Sequence, residues 1–244
     1  MLARAESENG EPAATPYRPS ISTPATLSSP GWIEIETGFL HEHNLDGARR
    51  DSLPTTVKLA FSPDWGIRIG GDAWVREHGG GTQGSGIGDT SIVLKRRFEI
   101  DDAQAFGLEA QATLPTSHNG LGTGSGKADY GINAIYSVDF GGTWHSDLNL
   151  VGTRLGNPGE GASRAQWLWA ASLSRAITDR WGVVGELSGT TQRGGEDTSQ
   201  FLAALTCNVT KRLTLDAGAS RSIRSGPPVW TAFTGLTWLA ARLF

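Results

Sequence analysis

His145 and Ser146 would do covalent chemistry if their side chains met, because a hydroxyl nucleophile beside an imidazole base is what lipid-ester hydrolysis requires. In an extended strand, however, adjacent side chains point to opposite faces, so the pair cannot form the nucleophile-to-base hydrogen bond. Alternation puts Trp144, Ser146, Leu148 and Leu150 on the apolar face and leaves His145 on the polar one. His41 and His43 share a face around Glu42, a spacing that presents two imidazoles to a metal ion. No third ligand accompanies them, and ordinary solvated histidines account for the pair better. The run Gly84-Ser85-Gly86-Ile87-Gly88 and the stretch 120–126 have the glycine content of a phosphate cradle. Such a cradle needs a helix N-terminus after the strand, and here another strand-like segment follows. The sequence therefore predicts no catalytic residue, no metal centre and no bound cofactor.

The spacing that carries information is that of charges at every second position. Glu34 and Glu36 alternate with Ile33, Ile35 and Phe39, and Lys58 lies between Val57 and Leu59. Arg68, Asp72 and Arg76 oppose Trp65, Ile67, Ile69 and Val75; Asp89, Lys95 and Arg97 oppose Ile92, Leu94 and Phe98. Glu109, Asp129, Asp147, Glu186 and Asp216 fall on the polar side of later runs. Isolated charges in a dry interior cost several kcal/mol each, so this face needs water or ionic partners.

A sheet whose two faces differ this way fits a barrel with an oily exterior and a polar lumen. No stretch approaches the roughly 18 apolar residues of a membrane-spanning helix. The mean hydropathy of −0.26 is compatible with strands that are each only half apolar. The composition, with 33 Gly and 9 Trp, suits many tight turns and a lipid interface. A single cysteine, Cys207, excludes a disulfide framework, and a net charge of −4 gives no reason to expect nucleic acid as a partner.

Residues 1–30 hold five prolines and few large apolar groups, which predicts an extended arm, either a periplasmic tail or a plug of the lumen. The first nine residues lack the apolar core of a signal peptide, so a mature or truncated chain is the expectation. Residues 31–244 read as one domain of about twelve antiparallel up-and-down strands, an even number as bacterial single-chain barrels require. Short links at 63–64, 141–142, 178–180 and 210–212 alternate with longer ones at 42–52, 77–88, 116–126, 156–163, 192–197 and 222–228. Short periplasmic turns and long external loops are the outer-membrane arrangement. Threading places Phe61, Trp65, Phe98, Phe106, Tyr136, Trp144, Trp181 and Trp238 at the short-turn end as one aromatic girdle. Tyr130, Trp167, Trp169 and Phe201 fall at the other. The closing run, with Thr234, Leu236, Trp238 and Ala240 on one face before Phe244, resembles the signal read by the barrel-assembly machinery.

Several motifs carry a family resemblance. They are Pro16-Tyr17-Arg18-Pro19, Trp32-Ile33-Glu34, Gly86-Ile87-Gly88-Asp89, Leu94-Lys95-Arg96-Arg97-Phe98, Leu114-Pro115-Thr116, the glycine run 122–126 and Asp129-Tyr130-Gly131. Together they resemble the outer-membrane proteins of the MetA-pathway phenol-degradation family, from residue 16 to the end. Ser117 stands where the resemblance calls for glycine. The resemblance implies a bacterial outer-membrane barrel with a transporter-like role, and it brings no catalytic residue and no defined substrate. Two functions are then expected: a channel passing small solutes, aromatic compounds among them, through a charged lumen, or a closed-lumen structural or ligand-binding barrel. A lipid hydrolase is the third and least supported reading.

Overall fold

The structure is a computed structural model that describes residues 11–44, 47–79, 83–117, 125–224 and 228–244. Residues 1–10 of the arm and Gly122-Thr123-Gly124 of the glycine run lie outside the described residues. Long strands follow in chain order as β1 (Trp32–His43), β2 (Arg49–Ala60), β3 (Trp65–His78), β5 (Thr90–Asp101), β6 (Gln104–Leu114), β7 (Asp129–Phe140), β8 (Trp144–Arg154), β9 (Ala165–Ala176), β10 (Trp181–Gln192), β11 (Thr198–Thr210), β12 (Leu213–Ser222) and β13 (Trp230–Arg242), with the three-residue β4 (Gly84–Gly86) between the third and fourth. All neighbouring pairs are antiparallel, and β13 returns to β1 through partners such as Ile35↔Trp238 and Gly38↔Gly235. The long strands thus form a closed twelve-strand barrel, and β4 pairs only with the outer end of β3.

Closure follows from the medium. Hydrocarbon offers no hydrogen bonds, so a spanning sheet must leave no edge. On the outer wall Val57, Ile69, Leu94, Leu108, Ile132, Leu148, Leu187, Leu205 and Leu215 are all exposed, an arrangement that only an apolar surround tolerates. On the inner wall Glu34, Glu109 and Glu186 are almost wholly buried. This inversion of the usual pattern makes the molecule a membrane-spanning barrel.

Phe61, Phe98, Phe106, Trp181 and Trp238 are exposed on the outer wall at the short-turn end, and Trp65, Tyr136 and Trp144 are partly exposed there. Cations lie over several of these rings. Arg96 stands 5.2 Å from the Trp65 ring and 4.5 Å from that of Phe98, Arg175 stands 5.0 Å from Trp144, and Arg212 stands 4.4 Å from Trp32. Guanidinium on indole suits the headgroup layer, where one flank is wet and the other oily.

The sequence reading departs from the structure at the outer rim. The first outer link was expected over 42–52, yet β1 runs to His43 and β2 begins at Arg49. The polar residues there pair across the strands: His41 Nδ1 is 2.6 Å from Asp51, and Arg50 faces Glu42 at 3.9 Å on the inner side. Gly84-Ser85-Gly86 is a strand, because β3 continues past its β5 pairing and leaves an edge for it. In β3 a bulge sets Ser52 opposite Val75 and Pro54 opposite Asp72, which inserts one residue into β3. Beyond it the faces exchange. Val75, expected toward lipid, is buried inside, and Arg76, expected in the lumen, is exposed on the outside with Trp74. A Cβ built on the preceding Gly71 would lie 2.4 Å from the Asp89 carbonyl oxygen, so only glycine fits that approach.

Asp89 immediately precedes β5 and ties the following outer loop to the rim. Its carboxylate accepts from the amides of Ser117 at 3.1 Å and Ser125 at 3.0 Å. Burial pushes its carboxyl up, but the hydrogen bonds from Ser117 and Ser125 outweigh burial and hold it below the ordinary value. A carboxyl lowered on folding stabilises above its unfolded value, and that contribution is lost as pH falls through the lowered one. Hydrogen-exchange protection of the Ser117 and Ser125 amides should therefore persist at neutral pH, vanish in acid, and be lost at neutral pH in Asp89→Ala; equal protection in that variant would contradict the tether. Leu148, 46% exposed at mid-height on the outer wall, should behave as a lipid contact: Leu148→Arg is expected to cost about 2–4 kcal/mol in urea unfolding from lipid vesicles.

Candidate functional site

The lumen carries the chain's buried polar chemistry, and the N-terminal arm lies inside it. Its described part enters beside the turn after β11, where the Ala14 amide donates to the Lys211 carbonyl at 2.8 Å. It leaves at Gly31, whose amide donates to the Ala60 carbonyl at 2.8 Å. Between these points the arm touches most of the inner wall.

Tyr17 sits where β1, β2 and β5 bring charges together. Lys58 Nζ lies 2.6 Å from Glu34 and 2.8 Å from Glu36, and it also donates to the Thr15 carbonyl at 2.6 Å. Lys95 is 3.4 Å from Glu109, which also receives Arg68 at 2.9 Å. The Tyr17 ring lies between the two ammonium groups, 3.8 Å from Lys58 and 4.3 Å from Lys95. The arm's backbone adds donors: the Thr15 amide reaches Glu34 at 2.7 Å and the Tyr17 amide reaches Glu36 at 2.6 Å. These buried carboxylates are thereby both paired and hydrogen-bonded, which a buried charge requires.

Arg18 occupies a slot in the wall. Gly38 and Gly235 are register partners, and Asp216 is the partner of Gly235 on the other side. The Arg18 guanidinium makes two contacts of 3.2 Å with the Asp216 carboxylate. A Cβ on Gly38 or on Gly235 would lie within 2.6 Å of the guanidinium, so two missing side chains make the room. Gly66 and Gly107 serve Leu27 and Ala25 in the same way, with a Cβ at 2.9 Å and 3.2 Å from them.

From Ile21 onward the arm passes along the wall in strand order. Glu186 on β10 accepts from the amides of Ile21 at 3.1 Å and Ser22 at 2.8 Å, and from the Ser22 hydroxyl at 2.7 Å. Asn149 on β8 donates to the Thr23 carbonyl at 2.9 Å and accepts from its amide at 3.1 Å. Ser137 on β7 accepts from the Ala25 amide at 2.7 Å, and Lys95 donates to the Pro24 carbonyl. A cavity of about 920 Å³ lies between the arm and β8–β12, with Ser172, Ser174, Asp147, Thr206 and Asn208 in its lining. Val184, also in that lining, packs with Leu40 against an apolar patch of Leu202, Ala204 and Phe233 on the inner wall.

Of the residues expected to line the lumen, Glu34, Glu36, Lys58, Arg68, Lys95, Glu109, Glu186 and Asp216 surround the arm. Asp147 accepts from Ser137 and lies 3.0 Å from His145 Nε2, whose other nitrogen is 2.6 Å from Asp139. Asp72 stands nearer the outer rim, paired with Arg50. Arg97 lies toward the short-turn mouth, 2.9 Å from Glu99. Two of these residues stand at the rim: Asp89 ties the loop ends described above, and Asp129 accepts from the Gly156 amide at 2.7 Å. Arg76 lies outside altogether. The Ser146 hydroxyl donates to the Ser172 carbonyl at 2.7 Å and has no contact with His145, so the two serve different partners. Among the described residues no group of three or more metal-ligating side chains gathers around His41 and His43 or elsewhere.

The expected lumen set leaves out Tyr17, Arg18, Ser137, Asn149 and the wall glycines, and also Asn133, whose side-chain amide donates to Glu109 and Asn149 at 3.0 Å. The signal available for the glycines was their position: Gly38 and Gly235 stand at inward sites where the strands otherwise carry larger side chains.

The fold is that of known outer-membrane channels. The COG4313 outer membrane channel from Pseudomonas putida F1 superposes with a TM-score of 0.67 at 14% identity, over 88% of this chain and 97% of that one. The KdgM porin gives 0.60 at 9% identity, over 84% and 99%, and the NanC porin gives 0.60 at 9%, over 86% and 100%. At these identities the likeness is one of fold. No curated protein matches the chain in sequence. The match that establishes kinship spans residues 56–240, so that Pro16–Pro19 and Trp32–Glu34 lie outside it: over that stretch the chain belongs to the family described as "Putative MetA-pathway of phenol degradation".

Proposed function

We infer that this barrel is an outer-membrane channel for small solutes whose lumen the N-terminal arm closes at rest. The observation that carries the reading is the seat of Arg18, a cation from the arm laid on two wall glycines and held by a wall carboxylate. A wall with no use for the arm would have no reason to leave that space. The fold shared with channels supports passage as the task, and the family's description supports small aromatic molecules as the solute class. The alternation ending at Phe244 supports delivery to the membrane by the barrel-assembly machinery.

The strength of the seat decides how the channel rests. A hydrogen bond exchanged for water on release is worth about 1 kcal/mol net, so the two bonds between Arg18 and Asp216 alone favour the seated arm by roughly thirtyfold. The tether also keeps a released arm at high local concentration, which makes release reversible. The full chain in a planar bilayer should be closed most of the time with brief openings, and deleting residues 1–30 should raise the open conductance strongly. An unchanged trace would reject the arm as the closure.

The deletion also carries a charge consequence. Among the described residues the carboxylates of Glu186 and Asp216 find their partners on the arm, whereas Lys58, Lys95 and Arg68 pair with wall carboxylates. Removing the arm leaves the lumen net negative and should make the pore cation-selective; Glu186→Gln with Asp216→Asn in the same deletion should abolish that preference. A second reading, a closed-lumen binding barrel, is favoured by the cavity between arm and wall. A deletion variant that is folded yet passes no ion or solute would select it.

A further inference from the structure

The outward face near the long-loop end is charged in one sector. Register partners run Arg221↔Trp230, Trp230↔His43, His43↔Arg49 and Arg49↔His78, so these side chains form one row across β12, β13, β1, β2 and β3. The row beneath it runs through Ala219, Ala232, His41, Asp51 and Arg76. The β3 bulge is what turns Arg76 and His78 onto this face. Arg49, Arg76 and Arg221 are exposed, and the rings of His41 and His43 lie 5.3 Å and 5.8 Å from that of Trp230. Among the described residues of both rows the one carboxylate is Asp51, 2.6 Å from His41. The other acids of these strand ends, Glu42, Asp72 and Glu77, turn inward to Arg50. By contrast, Arg154 is the one charged residue among the outward positions at the outer ends of β5–β11.

Just below this basic sector the wall is apolar: Phe39, Leu53 and Trp74 are exposed there at 43%, 37% and 37%. Guanidinium groups hold phosphoryl oxygens with paired hydrogen bonds, and indole favours the headgroup layer. Five strands at about 4.8 Å spacing carry the row over roughly 19 Å, wider than one diacyl phospholipid headgroup. We propose that this face binds a phosphorylated, multiply acylated glycolipid of the outer leaflet. Its phosphoryl groups rest on Arg49, Arg76 and Arg221, and its acyl chains lie on Phe39, Leu53 and Trp74.

The purified full chain in detergent, mixed with hexa-acyl bisphosphoryl lipid A and read by native mass spectrometry, tests this. Wild type should retain the lipid, and Arg49→Gln with Arg76→Gln and Arg221→Gln should weaken retention by roughly tenfold or more. Arg154→Gln should leave it unchanged. Fully dephosphorylated lipid A and phosphatidylethanolamine should bind wild type no better than bisphosphoryl lipid A binds the triple variant. Equal retention by wild type and triple variant, or binding indifferent to the phosphates, would overturn the proposal, as would displacement of bound lipid by equimolar inorganic phosphate. If the triple variant fails to reach the heat-modifiable folded form, the comparison of lipids on wild type decides by the same criteria.

Discussion

Backbone amides and carbonyls inside hydrocarbon have only one another as partners, and the pairing of β13 with β1 is how this chain satisfies them. Everything else descends from that seam. A closed sheet has an inside and an outside, and the period-two alternation of side chains assigns every residue to one of two solvents. Acyl chains take the outer set, so at mid-height the charged side chains face the interior, and outward charges stand at the two rims. In the interior the difficulty changes character, because carboxylates such as Glu34, Glu36 and Glu186 are buried between the wall and the arm.

The arm resolves that difficulty with backbone donors as much as with charge. The Thr15, Tyr17, Ile21 and Ser22 amides all end on wall carboxylates, and Arg18 supplies the cation that Asp216 lacks. Lysines and carboxylates of the wall meanwhile neutralise one another around Tyr17. The seating of the arm and the satisfaction of the lumen's buried groups are thus the same set of contacts. Water could replace the arm bond by bond, and that exchange is what the proposed plug requires.

Much of this was legible in the sequence. Alternation located the strands, the apolar face and the short turns because lipid enforces a strict two-sidedness that soluble sheets do not. What alternation cannot register is an inserted residue. The β3 bulge shifts the parity between Asp72 and Val75, and Arg76 and Val75 accordingly exchanged sides. The outer strand ends were also obscured, since His41, Glu42, Arg50 and Asp51 have loop-like composition yet pair across strands. The arm's path was illegible for a different reason. Its contacts join residues far apart in the chain, such as Arg18 with Asp216, and no local pattern announces a partner two hundred positions away.

The arm's wall contacts at Glu34, Glu36, Lys58, Asp216, Gly38 and Gly235 share no residue with the anchors of the outer loops at Asp89 and Asp129. The seat of the arm and the anchors of the outer loops are therefore written in separate sets of positions. Drift or selection can therefore rework the outer loops of such a barrel while the seat of the arm is inherited unchanged.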